Sequence, residues 1–169
     1  MLRPIRQAGA WMSYRIIRAY WWARRPVILG VRVLVIDGDQ VLLVRHSYRG
    51  GWFLPGGTPE AGESLEATAR REVREETGVR VDGVTLLGIY SSLDGRESDH
   101  VVVFSGENQD REAVREGAFR VGSDGDSEVA EARWLPVAQL PRATSDQTQW
   151  ILRDWQQGRT STYRVVAEP

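Results

Sequence analysis

Two periodicities run along this chain. Between Val27 and Ile36, and again between Val41 and Arg45, β-branched and aliphatic residues crowd into short runs separated by Asp37-Gly38-Asp39, which predicts two strands joined as a hairpin. Runs of the same kind at Val79–Tyr90, His100–Ser105 and Val129–Leu135 predict further strands, and Thr160–Val166 an edge strand. The second period is helical. It predicts helices over Ser64–Thr77, with Gly78 in the C-cap place, and over Ser145–Gln157. It also predicts one over Trp11–Arg25, ended by Pro26. In that first helix Met12, Ile16, Ala19, Tyr20 and Ala23 share one face, while Arg15, Arg18, Arg25, Trp11 and Trp22 gather on roughly the opposite side. Residues 106–127 are polar, with scattered Gly, Asp and Glu, and read as a long loop. Helices and strands intermix without βαβ regularity, so the expected class is α+β with a mixed sheet.

Composition narrows the chemistry. The 169 residues suit one domain. There is no cysteine, which excludes a disulfide framework, a thiolate zinc site and a cysteine nucleophile. His46 and His100 are the two histidines, so any metal must be held by oxygen, which points to magnesium, calcium or manganese. All 22 basic residues are arginine; no lysine is present for Schiff-base or P-loop chemistry. The net charge of −1 hides an asymmetry, since residues 1–36 carry seven arginines and no acid. No apolar run reaches the roughly 18 residues of a membrane span, and the N-terminus lacks an uninterrupted apolar core of a secretory signal. A cytoplasmic location is the expectation.

The helix predicted over 64–77 places its acids in an unusual position. Its apolar stripe is Leu65, Ala69 and Val73. With Glu72 as zero, these stand at about 20°, 60° and 100°, Glu76 at about 40° and Glu75 at about −60°. Glu72 and Glu76 therefore lie within or beside the stripe that should be buried. An unpaired buried carboxylate costs several kcal/mol, and two neighbours repel each other. A divalent cation would offset both costs. Ahead of this helix, Trp52-Phe53-Leu54-Pro55-Gly56-Gly57 is an apolar run broken by Pro and two Gly; paired glycines allow close backbone approach and leave a carbonyl to face a metal or phosphate.

Gly57, Glu63 and then Arg71-Glu72-Val73-Arg74-Glu75-Glu76-Thr77-Gly78-Val79 resemble the Nudix box in every fixed position and spacing, and the preceding Trp-x-Leu-Pro-Gly-Gly resembles its usual lead-in. The resemblance implies an α/β/α sandwich over about residues 27–158, in a domain spanning 27–169. It also implies that Glu72, Glu75 and Glu76, with the carbonyl of Gly57, hold Mg2+ (Mn2+ as a substitute). Arg71 would orient those glutamates, and Glu63 would assist metal or water. The general base is left open between Glu72 and an acid of the polar loop such as Glu116 or Glu128. Arg45, Arg49 and Trp52, with His46, lie on the approach to the box and are candidates to meet phosphate or stack on a base; His100 reads as structural.

The activity implied is hydrolysis of the diphosphate of a nucleoside diphosphate linked to another moiety, such as a nucleotide sugar, ADP-ribose, a dinucleoside polyphosphate or a nucleoside triphosphate. The alternatives are pyrophosphate removal from RNA 5′ ends and a nucleotide sensor that does not cleave. Three metal-ligand glutamates speak against the sensor. Residues 1–26 form a basic, aromatic helical extension. For it, packing of the Met12–Ile16–Ala23 face on the domain or on a second subunit is preferred to a membrane-surface or nucleic-acid contact.

Overall fold

The computed structural model describes residues 27–93, 98–109 and 128–166; the helix expected over 11–25 and most of the polar loop, Glu116 included, lie outside them. In chain order the elements are β1 (Val27–Asp37), β2 (Gln40–His46), α1 (Leu65–Thr77), β3 (Val81–Leu93), β4 (Ser98–Asn108), β5 (Val129–Pro136), α2 (Asp146–Gln156) and β6 (Thr162–Val166). The strands form one sheet in the order β5-β2-β1-β4-β3-β6. β1 and β2 make the expected antiparallel hairpin, whereas β1 runs parallel to β4 and β3 parallel to β6. The sheet is therefore mixed. Among the described residues no helix is long and apolar enough to cross a membrane.

Strand alternation distributes side chains to two cores. Val31, Val33 and Val35 of β1 and Val102 and Phe104 of β4 face one way and meet Ala69 and Val73 of α1. Leu34 of β1, Tyr90 of β3, and Val101 and Val103 of β4 face the other way and meet Ile151 and Leu152 of α2. The result is an α/β/α sandwich. Burial of one such side chain as large as Val73 contributes about 2 kcal/mol.

α1 begins where Ser64 Oγ accepts from the Ala67 N–H at 3.2 Å, a cap worth about 1 kcal/mol. It ends at Gly78, whose φ of 75° lets its N–H reach the Arg74 carbonyl at 2.8 Å. α2 is fixed to the far half of the sheet by a buried charge. Asp154, 1% exposed, accepts from Tyr90 Oη at 3.0 Å, Arg159 Nη1 at 3.0 Å and Arg164 Nη2 at 2.8 Å. One carboxylate thereby joins α2, β3 and β6.

β3 and β4 extend further than their apolar periods predict, reaching Leu93 and spanning Ser98–Asn108. The extra residues, such as Ser92, Asp99 and Glu107, enter through backbone pairing of the ladder, which side-chain polarity does not report. Bulges between Asp82 and Thr85 and between Leu86 and Gly88 further break the period-two signal.

Candidate metal and diphosphate site

The segment before α1 is hydrogen-bonded along β1 and β2 without forming a strand of the sheet. Val31 N–H donates to the Gly57 carbonyl at 2.8 Å and Val33 N–H to the Pro55 carbonyl at 2.9 Å. Further back, Val44 and Phe53 exchange both backbone bonds at 2.9 Å. Gly56 has a φ of 145°, and a Cβ there would stand 2.9 Å from Arg32 Cα and from the Val31 carbonyl carbon, so only glycine fits. Its N–H donates to Glu76 Oε2 at 2.8 Å, and its carbonyl accepts from Arg32 Nη1. At Gly57 the limit is different: an added Cβ would meet the carboxylate of Glu72, 2.5 Å from its Cδ.

α1 thus presents its acids to this backbone as the wheel requires. Ala69 and Val73 are buried, the Glu72 side chain is 13% exposed, and Glu75 on the flank is 52% exposed. Burial raises the pKa of Glu72, against the opposing pull of Arg71. Burial likewise raises that of Glu76 to about 7, despite the Gly56 N–H it accepts. Both carboxylates therefore carry charge at a cost that the protein's own groups only partly offset.

Arg71 organises the cluster. Its Nε and Nη2 grip the two oxygens of Glu63, each at 2.9 Å, in a bidentate pair. Its Nη1 donates to Glu72 Oε1 at 2.8 Å and Glu75 Oε2 at 3.2 Å. The hydrogen bonds from Arg71, followed by that from the Glu60 N–H, hold the Glu63 carboxyl down at about 2. Thr68 Oγ1 donates to the same carboxylate at 2.9 Å. Glu63 acts on the cluster by fixing the guanidinium that fixes Glu72 and Glu75. With Glu75 turned onto Arg71, no three acidic or imidazole groups among the described residues converge into a finished cage.

A cleft of about 470 Å³ opens over this cluster, lined among others by Arg32, His46, Tyr48, Gly57, Glu72, Glu76 and Glu128. That volume suits a nucleotide-sized ligand. Arg71 and Glu72 line it as the sequence suggests, but Arg45, Arg49 and Trp52 do not. Arg45 lies directly across from Glu131 on β5 and pairs with it at 2.7 Å. Arg49 sits 4.6 Å over the Phe53 ring, and Trp52 packs against the core on the α2 side and bridges to Thr144. Their places near the cleft entrance are taken by Arg32, His46 and Tyr48. Burial, then the nearby Arg32, lowers the pKa of His46 to about 4, so its ring is neutral at physiological pH. Arg32 had no signal in the sequence: it is one polar residue in a strand, and the Gly56 carbonyl that partners it comes from a segment 24 residues downstream.

The NUDIX domain family model matches residues 26–156. An ADP-ribose pyrophosphatase of Methanocaldococcus jannaschii is 32% identical over 83% of this chain and 79% of its own length. The 8-oxo-dGDP phosphatase NUDT18 of Mus musculus is 33% identical over 64% of the chain, and the matched region spans 32% of that longer protein. A NUDIX hydrolase structure from Nitrosomonas europaea superposes with a TM-score of 0.66 over 83% of this chain and 78% of that one, at 22% identity, and shares the fold. With the sandwich, the arginine-clamped glutamates of α1 and this match over most of its length, the chain belongs to the Nudix hydrolase family.

Proposed function

We propose that the chain hydrolyses the diphosphate linkage of a nucleoside diphosphate joined to a second group, with Mg2+, or Mn2+ in its place, held at the α1 cluster. The observation that carries this reading is the pair Glu72 and Glu76, two partly buried carboxylates on one cleft wall with raised pKa values and a single guanidinium, Arg71, bonded to one of them. The donor set fits a hard cation: carboxylate oxygens from Glu72 and Glu76, the second lone pair of the Gly57 carbonyl, and Glu75 after a rotation away from Arg71. The close approach of the Glu72 carboxylate to Gly57, which leaves no room there for a Cβ, supports the same fit. Such a cation, when bound, neutralises diphosphate oxygens and acidifies a water molecule.

The remaining roles fall to the chain's own side chains. Arg32 uses Nη1 on the Gly56 carbonyl, and a guanidinium has five N–H donors, so others face the cleft for phosphate oxygens. Glu128, across the cleft from Glu76 and close enough to raise its pKa, is assigned as the base that takes the proton of the attacking water. Tyr48, half exposed on the cleft wall, offers a ring to the nucleoside. The names of the two relatives support a nucleoside diphosphate derivative as the substrate class.

The test is a product screen with purified protein and magnesium against nucleoside triphosphates, ADP-ribose, nucleotide sugars, dinucleoside polyphosphates and triphosphorylated RNA. Cleavage of one class well above the others, abolished by a chelator and by Glu75→Gln, is the expected result. Silence across the panel with tight nucleotide binding would replace hydrolysis by sensing.

A further inference from the structure

The exposed large apolar side chains are not scattered. Among the described residues, apart from Tyr48 at the cleft and Leu86, they are Val27, Leu29, Ile89, Leu93, Tyr163 and Val165. The register places all six on one face. Val31 and Val102 are partners under α1, and two-residue steps back along β1 give Leu29 and Val27 on the same side. Leu93 opposes Ser98, which opposes Val27; Ile89 opposes Val102; and Tyr163 opposes Ile89. Val165 opposes Ser91, Ser91 opposes His100, and His100 opposes Leu29. The patch therefore lies on the α1 side, at the end of the sheet where β1 begins, across β1, β4, β3 and β6. Four strands at about 4.8 Å make it roughly 14 Å wide. Val27 is 73% exposed and Tyr163 67%, and a cluster of exposed apolar side chains on one face, here set around Ser91 and His100, marks a docking face.

We infer that residues 11–25 of this same chain cover that face, as a helix lying beside α1 with Met12, Ile16, Ala19, Tyr20 and Ala23 turned onto the sheet. Three observations select this occupant. Only Pro26 separates the segment from Val27, whose own side chain belongs to the patch. A helix of 15 residues is about 22 Å long, enough to cross the four strands, and its apolar stripe has the matching width. The net charges are of opposite sign: residues 1–26 carry six arginines and no acid, against 16 arginines and 23 acids in residues 27–169, so a segment of +6 is drawn to a body of −7. With this helix in place the sheet is covered on that side by two helices, and its arginines stay in solvent on the helix's outer face.

The absence of cysteine makes the test clean. In the full chain, single cysteines at Met12, Ile16 or Ala23 are combined with one at Leu29, Ile89 or Tyr163 and exposed to mild oxidant. The expected product is an intramolecular disulfide in monomeric protein for at least one pair, forming at least tenfold faster than any pair that uses Tyr14→Cys or Trp21→Cys on the opposite helix face. Disulfide-linked dimers as the main product would overturn the inference in favour of a second copy on the patch. No pair faster than the controls would overturn it outright. A second reading does not depend on cysteine geometry: Ile89→Asp, at an exposed position, should raise the rate of tryptic cleavage after Arg15 and Arg18 at least tenfold in the folded protein, and an unchanged rate would refute the contact.

Discussion

Gly57→Ala separates the chemistry of the cleft from the stability of the fold. The backbone at Gly57 does not have a positive φ, so alanine introduces no backbone strain there. The new methyl would instead stand 2.5 Å from Cδ and 2.8 Å from Oε2 of Glu72. Relief to an ordinary contact requires the carboxylate to retreat by about 0.9 Å, and misplacement by about 1 Å costs about 100-fold in rate, or about 2.7 kcal/mol in the barrier. The atoms displaced belong to the far end of a flexible side chain, so the fold should lose less than about 1 kcal/mol. The assay is steady-state hydrolysis of the best substrate with saturating magnesium, alongside urea unfolding of the metal-free protein. Gly56→Ala is the contrast: its methyl meets the backbone of Val31 and Arg32 at 2.9 Å with φ at 145°, so it should fail in folding rather than in rate. A Gly57→Ala enzyme with kcat within threefold of wild type would refute the placement of Glu72 in the metal site.

Other expectations follow from the same geometry. Glu128→Gln should lower kcat by about 10²–10³ with little change in KM if it is the base; a change confined to KM would make it a binding residue. In the metal-free protein, Glu76 and His46 give opposite pH dependences in nearly the same window. Glu76, raised to about 7, makes stability fall as pH rises from about 4.5 to 7, because the folded state holds the proton more tightly. His46, lowered to about 4, makes stability fall as pH drops from about 6.5 to 4, because the unfolded state binds the proton more tightly. Glu76→Gln should therefore unmask a rise with pH, and His46→Gln a fall, each of about 3 kcal/mol in denaturant unfolding; parallel profiles would contradict both assignments. Asp154→Ala should lower stability by about 2–3 kcal/mol, since it strands the buried Tyr90 hydroxyl and two half-exposed arginines. A loss below about 0.5 kcal/mol in a urea titration would show that the cluster is dispensable.

The parts of the molecule legible in its sequence are those governed by local rules. The stripe Leu65–Ala69–Val73, the helix start near Ser64, the stop at Gly78 and the β1–β2 turn depend on neighbours within a few residues, and each is where the pattern puts it. The burial order of Glu72, Glu76 and Glu75 also follows from angle alone. What the sequence hid depends on distant pairing. Arg45 is drawn from the cleft by Glu131, 86 residues away, because β2 and β5 set the two opposite one another. Arg32 enters the cleft because a segment 24 residues downstream lies beside β1. Neither register leaves a trace in periodicity, and the parallel pairing of β1 with β4 leaves none in the loop lengths.

The Pro55–Gly57 segment, bonded along β1, has a bearing on how such a protein changes over generations. Gly56, which seats Glu76, lies against the backbone of Val31 and Arg32, so most substitutions there would disturb the fold together with the chemistry. Tyr48 follows β2 and Glu128 precedes β5, where a single backbone bond from Ser47 N–H to the Glu128 carbonyl at 2.8 Å ties the two ends together. Replacements at that rim leave the sheet's ladder intact. With Glu128 kept as the proposed base, descendants of this scaffold are therefore free to exchange Tyr48 and the group it meets, and the mutational cost of a new substrate falls on one strand end rather than on the core.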